Sequence, residues 1–417
     1  MTGDTVLFNK TVIIRNGYIT NIADTILSDG HHVINGEGGY ITPGLIDMHV
    51  HLWDNFELGL YLANGVTTVR SLLGMPYHLK VKKAIHNNIL IGPLFYTSSP
   101  QFSGPDEHDI LKKAIKSPTE ARELVIKYKK QGYDFIKTYN LLPKPTFDAI
   151  LEQSSASQIP VVAHPSFKVN YEYHFNPIIT TVEHTEDIFQ QALNYSFNRN
   201  KLDSIIAGYA ESGQTHCPTL TVFYNLTRIY NEKEKYLTSW QMNYINPFVR
   251  KASGDYERHR ARQLKDTSSQ TKVNRQHLFH LEIIRKMHLA GVNIVCGTDA
   301  GILSTPAGFS IHQELQFYKQ AGMSDFQALK TATVNPARIY KEFNMLGTIE
   351  TNKMANLIFT TQNPLNDISV LQHPEWVMIK GRKINKKVME LFIKKANNRN
   401  NFLASMFRIL KYAYWGK

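Results

Sequence analysis

Pro43-Gly44-Leu45-Ile46-Asp47-Met48-His49-Val50-His51 is the stretch whose reading decides the fold. Leu45, Ile46, Met48 and Val50 suit a strand buried on both faces, as in a parallel sheet. Pro43-Gly44 turns the chain into that strand. Residues two apart in a strand point to the same face, so His49 and His51 aim at one point, roughly 7 Å apart along the strand. Two neutral imidazoles converging on a point can hold a metal ion. A lone His-x-His also occurs in packed cores and on strand edges. The question is therefore whether later strand ends bring further ligands.

Downstream, from 43 to about 335, short apolar strands alternate with helical segments. Leu45–His51, Val66–Arg70, Leu94–Ser98, Asp134–Tyr139, Pro160–His164, Ile178–His184, Thr215–Leu220 and Asn293–Asp299 read as strands. Asn55–Asn64, Pro76–Asn87, Pro118–Gln131, Pro145–Gln158 and Ser324–Tyr340 read as helices. Ser117-Pro118-Thr119-Glu120 is a helix start, with a capping serine, proline in the first turn and an early acid. Eight alternations favour an α/β fold of the (β/α)8 TIM-barrel type over a doubly wound sheet. The polar stretch 222–290 follows the seventh strand as a helical insertion, on the side where barrel loops build active sites.

Upstream, Thr11–Arg15 and Tyr18–Ile22 flank Asn16-Gly17, a hairpin turn signal. Near the other end, Gly347–Glu350 opens a second β segment, with strands at Asn356–Thr360 and Trp376–Arg382. The two ends are expected to form one small β-sandwich domain, 1–42 with 345–386, around a barrel at 43–344. His31 and His32 read as exposed loop histidines. A basic amphipathic tail, 387–417, follows, with Phe402, Leu403, Met406, Phe407, Ile409 and Leu410 at helical spacing. It reads first as a helix docked on the barrel and second as a weak contact with an anionic membrane surface. On that reading, deleting the tail weakens liposome binding and spares catalysis.

With 417 residues, 42% hydrophobic and 20% charged, the chain has globular proportions and can bury a large core. The net charge of +12 is spread along the chain and concentrated only after residue 380, so it reads as solvated surface and not as a nucleic-acid footprint. No apolar run reaches the ~18 residues needed to span a bilayer. The N-terminus has neither a basic n-region nor a signal-peptide core, which points to a cytoplasmic protein. Cys217 and Cys296, the two cysteines, lie in apolar runs and read as buried thiols.

Strand ends supply the further ligands. Lys137, His164, His184 and Asp299 stand at or near the ends of later candidate strands. In a barrel all of these ends meet on one rim. His49, His51, Lys137, His164, His184 and Asp299 would then share one cup.

This set, with Gly297-Thr298-Asp299-Ala300-Gly301, resembles the amidohydrolase superfamily. Phe135-Ile136-Lys137-Thr138-Tyr139 and Val182-Glu183-His184-Thr185 resemble its branch near imidazolonepropionases and Xaa-Pro dipeptidases, over residues 5 to 385. The resemblance implies two divalent metal ions, zinc in most such enzymes. His49, His51 and Asp299 would hold the first, His164 and His184 the second, and a carboxylated Lys137 would bridge them. A carbamate is the physical requirement, because an ammonium would repel both cations. A bridging hydroxide attacks a carbonyl in such enzymes, Asp299 carries the proton to the leaving nitrogen, and His108 assists as a carbonyl-polarising catalytic residue. Tyr224 is a substrate-contact candidate.

The expected activity is hydrolysis of an amide or peptide C–N bond, in an Xaa-Pro-like dipeptide or an N-acyl amino acid. Cyclic-amide hydrolase, lactonase or organophosphate hydrolase, and deaminase are the alternatives on the same scaffold, with Lys137 disfavouring the last. A metal-binding or membrane-associated scaffold is the non-enzymatic alternative. The expected partners are a small-molecule amide or dipeptide, no nucleic acid, and further copies of the chain in a homo-oligomer. Relatives carry one more strand ahead of Thr2-Gly3-Asp4, which leaves export of a longer precursor open. Met354-Ala355-Asn356 and His164-Pro165-Ser166 depart from the usual pattern and bear on pocket shape.

Overall fold

The computed structural model describes residues 5–24, 30, 32–263, 267–302 and 304–415; His31 and Thr2-Gly3-Asp4 lie outside the described residues. Eight parallel segments form a ring. Leu45–Val50 pairs with Val66–Ser71, which pairs with Leu94–Thr97. Ile136–Thr138, Val161–Ala163, Ile179–Glu183 and Thr215–Cys217 pair successively in the same sense. Single parallel bridges carry the ring across the remaining gaps: Ser98 to Phe135, His216 to Ile294, and Ala300 back to Val50. The eighth segment, residues 293–300, is tied to the first by Met48 N–H to Cys296 O at 2.8 Å and His51 N–H to Ala300 O at 2.7 Å. The first strand is buried along its whole length, as its apolar run requires.

The helices follow from local signals. Pro118–Gln131 starts where Ser117 Oγ accepts from Glu120 N–H at 3.2 Å and stops at Gly132, which has φ +91°. The expected Ser324–Tyr340 helix is broken into Asp325–Thr331 and Val334–Ala337, because Pro336 lacks an amide donor and fits only a new first turn. Ser310–Gln320 is a helix that the sequence reading missed. The insertion is helical, as expected, with Leu220–Glu232, Glu234–Leu237, Pro247–Gln263 and Thr267–Leu289.

The small sheet is antiparallel and joins both ends of the chain, with Tyr40–Pro43 beside Leu357–Thr360, then Trp376–Ile379 and Arg382–Asn385. The run 376–382 is thus not one strand but enters a hairpin. Lys380 (φ +48°) and Gly381 (φ +76°) make the turn. The expected hairpin at Asn16-Gly17 forms between Thr11–Arg15 and Tyr18–Ala23. Ile19, Leu357, Phe359, Trp376 and Met378 fill the space between the two sheets. Gly347–Glu350 gives Ile349 to that core without being a strand.

The tail docks. Lys386–Asn397 lies on Phe56–Ala63, where a Cβ on Gly59 would come within 2.9 Å of Phe392. Phe402–Trp415 buries Ile409 and Tyr412 against Met242, Ile245 and Val249, and leaves Leu403 and Phe407 exposed. Among the described residues no helix is long and apolar enough to cross a membrane.

Candidate active site

His49 and His51 do point to one place, and Asp299 meets them there. Asp299 Oδ1 lies 2.7 Å from His51 Nε2 and 3.3 Å from His49 Nε2, and Oδ2 lies 3.9 Å from His184 Nδ1. The rings of His49 and His184 are 4.8 Å apart, and those of His184 and His164 are 4.6 Å apart. Lys137 is fully buried among them. Its charge bears on His49, His164, His184 and Asp299 alike. All six residues expected at the strand ends are therefore brought together.

Close packing of the eighth segment on the first makes this convergence feasible. A Cβ on Gly297 would fall 2.4 Å from Cys217 Sγ and 2.9 Å from His49 Cβ. Gly301, at φ +104°, leaves room for His51 O, which a Cβ would approach to 2.2 Å. Three non-glycine residues at the rim are also left-handed: His184 (φ +69°), Thr219 (φ +53°) and Asp299 (φ +58°). Such backbone is costly and concentrates at functional sites.

An outer layer orients the rings. His49 Nδ1 meets Glu183 Oε2 at 2.6 Å. Arg70 Nη2 donates to Glu183 Oε1 at 2.9 Å, Nη1 donates to Thr181 Oγ1 and Tyr340 OH, and Nε donates to Met48 O. His184 Nδ1 pairs with Thr219 Oγ1 at 2.8 Å. A histidine fixed through Nδ1 in this way presents Nε2 to the cavity. The other end is sparser. His164 stacks on Tyr139 with centroids 4.2 Å apart, and its Nε2 lies 3.4 Å from Asp187 Oδ2. Lys112 Nζ lies 4.0 Å from the centre of the Tyr139 ring.

Burial sets the electrostatics. It lowers His49 to about 4 and presses His164 and His184 well below the usual imidazole value, so all three are neutral. It brings Lys137 down to about 8, opposed by Glu183 and Asp299 and assisted by Arg70. Burial also works to raise Asp299 and Glu183. The surrounding partners outweigh it in each case: contacts with His49, His51 and Lys137 hold Asp299 low, and Arg70 together with the hydrogen bond from His49 holds Glu183 well below the carboxylate range.

The donor set fits metal ions. His49, His184 and Asp299 offer ligand atoms within 4.8 Å of one another. His51 Nδ1, His164 Nδ1 and Lys137 Nζ are buried without a hydrogen-bond partner. Unpaired buried polar atoms of this kind are costly, and a metal ion held among them would satisfy them. His49, Glu183 and Cys217 also converge, but Glu183 is committed to Arg70, and burial drives the Cys217 thiol pKa up.

Two expected residues are not brought in. His108 is exposed on the loop between the short strands Phe102–Ser103 and Lys113–Ala114, and no hydrogen bond, ion pair or ring contact joins it to the cluster. Tyr224 packs against His277 at 4.9 Å and Phe317 at 5.0 Å, on the outer helices. The sequence reading missed the roles of Arg70, Glu183, Asp187 and Thr219. Glu183 stood within a quoted motif, but strand alternation sends residues 183 and 184 to opposite faces, and the left-handed His184 cancels that expectation.

Residues 272–384, which include the eighth segment and Asp299, match a family model. The model matched over that stretch is that of the amidohydrolase family. The ochratoxinase of Aspergillus niger is 35% identical over 100 residues, covering 24% of this chain and 20% of that protein, so the match spans about a fifth of the curated relative. Bottromycin amidohydrolase superposes with a TM-score of 0.78 at 21% identity, over 95% of this chain and 87% of that one. A Xaa-Pro dipeptidase with methionine bound in its active site gives 0.71 at 19% identity, over 92% of this chain and 97% of that one. At these identities the structural likeness carries the fold alone, a barrel with an appended β domain.

Proposed function

We propose that this chain is a binuclear metal-dependent hydrolase of amide C–N bonds, acting on an Xaa-Pro-like dipeptide or an N-acyl amino acid. One observation carries the reading: the buried, unpartnered Lys137 Nζ stands among three neutral imidazoles and Asp299. Two of the similar structures bear the names of amide-bond hydrolases, an amidohydrolase and a dipeptidase, and this supports the reaction class.

In this reading His49, His51 and Asp299 would hold one zinc ion and His164 and His184 the other, and Lys137, as a carbamate, would serve as a ligand to both. The lysine amine adds to CO2, forming an N–C bond and releasing a proton. Its lowered pKa favours the neutral amine that this addition needs. When bound, the metals polarise the scissile carbonyl and bring the pKa of a water toward ~7.

The chain's own groups do the rest. Asp299, held ionised, takes the proton of the attacking water and passes it to the leaving nitrogen, so that each product leaves neutralised at the cleaved bond. Arg70 and Glu183 keep His49 in one tautomer, and Thr219 does so for His184. His108 takes part only if the loop at 104–112 folds over bound substrate.

Metal analysis of the purified protein, with hydrolysis of a panel of dipeptides, N-acyl amino acids, lactones and phosphotriesters, tests the proposal. Two zinc ions per chain with turnover on the amides is the expected result, and Lys137→Ala loses both. Two ions with turnover on esters alone would sink the amide reading. An absence of bound metal after zinc loading would sink the centre itself.

A further inference from the structure

The tail beyond residue 385 lies outside both the matched stretch and the span of the resemblance read from the sequence. Its docking is not confined to apolar surface. Asp54 follows the ligand His51 by three residues, and its side chain is only 2% exposed. Arg399, 1% exposed, places Nη1 at 3.1 Å from both Asp54 oxygens and 3.8 Å from Glu57 Oε1, and Nη2 donates to Tyr244 O. Asn401 Nδ2 and Asn246 Nδ2 donate to Asp54 Oδ2 at 2.9 and 2.6 Å. Asp54 Oδ1 in turn accepts from Phe56 N–H at 2.8 Å, where the helix Phe56–Ala63 begins.

A second tail arginine holds the neighbouring residue. Arg408 donates to Trp53 O and lies 4.1 Å over the Tyr77 ring. Trp53 N–H donates to Glu57 Oε2 at 2.7 Å, and the Trp53 indole N–H donates to Gly301 O at 2.8 Å. Gly301 stands two residues after Asp299. A continuous path of polar contacts therefore runs from the tail, through Trp53 and Asp54, to the ends of both the first strand and the eighth segment.

We infer that Arg399 and Arg408 are positioning residues, which lock the 52–57 loop and through it the relative placement of His51 and Asp299. The inference rests on the reading that these two groups are metal ligands. The physical reason is charge. Asp54 and Glu57 are buried carboxylates, and Arg399 is the cation set between them. Without it the loop would have to move to reach water. The tail is then part of the active site's scaffold, contrary to the expectation that its removal spares catalysis.

Hydrogen-exchange mass spectrometry and zinc titration of the full-length, metal-stripped chain test this. Arg399→Met is expected to speed exchange about tenfold or more in segments 49–57 and 298–305 while leaving 357–360 and 376–379 as in the parent, and to weaken zinc binding about tenfold. Arg399→Lys falls between the two. Asp54→Asn combined with Arg399→Met recovers part of the protection, since Asp54 no longer needs a cation and only Glu57 is left without one. Lys395→Ala, on the exposed face of the tail, matches the parent. Unchanged exchange at 49–57 and 298–305 in Arg399→Met would overturn the inference, and so would a rise spread equally over the β domain. If Arg399→Met does not fold, Arg399→Lys decides by the same segments. If the parent chain itself takes up no zinc, the metal reading has failed, and the exchange at the two segments still decides the positioning role.

Discussion

At one end of the cluster, His49 is held by Glu183 at 2.6 Å, and Glu183 by a buried arginine that spends its other donors on Met48, Thr181 and Tyr340. At the other end, His164 has no hydrogen bond on Nδ1, approaches Asp187 only to 3.4 Å, and takes its orientation from the face of Tyr139. The first arrangement is fixed by charge-assisted bonds before anything binds. The second is set by packing, and so can adjust when an ion or a substrate arrives. Preorganised ligands hold a metal with little reorganisation, so in the proposed centre the two sites differ in affinity, and the looser one lies next to the 104–112 loop.

Removing the anchor should break this contrast most visibly. Arg70→Met leaves Glu183 buried without a cation and should cost about 3–5 kcal/mol in urea unfolding of the metal-free chain. His164→Ala should stay within about 1 kcal/mol of the parent. Equal losses would mean that the two ends are alike.

Acid should act next, on the support behind the looser end. His216 meets Thr185 Oγ1 through Nε2 and Val182 O through Nδ1, and burial lowers its pKa to about 4. Between pH 6.5 and 4 the unfolded imidazole takes up a proton that the folded one refuses. Stability should therefore fall as pH drops through that window, by roughly 3 kcal/mol at most from this residue. A pH series of unfolding midpoints should be visibly flatter for His216→Gln, and an unaltered slope would remove His216 as the cause.

Glu183→Gln should weaken zinc binding by about 10–100-fold, the usual effect of losing a carboxylate behind a ligating histidine. Asp187→Asn should weaken it less, and calorimetric titration would reverse the contrast if the order were the other way. The smallest effect belongs to Tyr139→Leu. Loss of a ring stack is worth about 0.5–1.5 kcal/mol, so the weaker of two zinc-binding steps should shift by several-fold and the tighter step should not move.

Some features were legible because they are local. Alternating apolar strands and capped helices imply a barrel, and Asn16-Gly17 implies its hairpin. The 376–382 run misled because Lys380-Gly381 makes a turn that hydropathy alone does not mark. His108 and Tyr224 were carried by resemblance and position, and the folded chain sets one on an exposed loop and the other among outer aromatics.

By itself the sequence determined which strand ends carry imidazoles, an amine and a carboxylate, since residue type and a period of two are written along the chain. Only the tertiary structure decided what holds them. His184 reaches the same cluster as its neighbour Glu183 because it adopts a left-handed backbone, and Arg70 and Arg399 find partners 113 and 345 positions away. A buried charge chooses its counter-ion by proximity in space, and no local pattern records that choice.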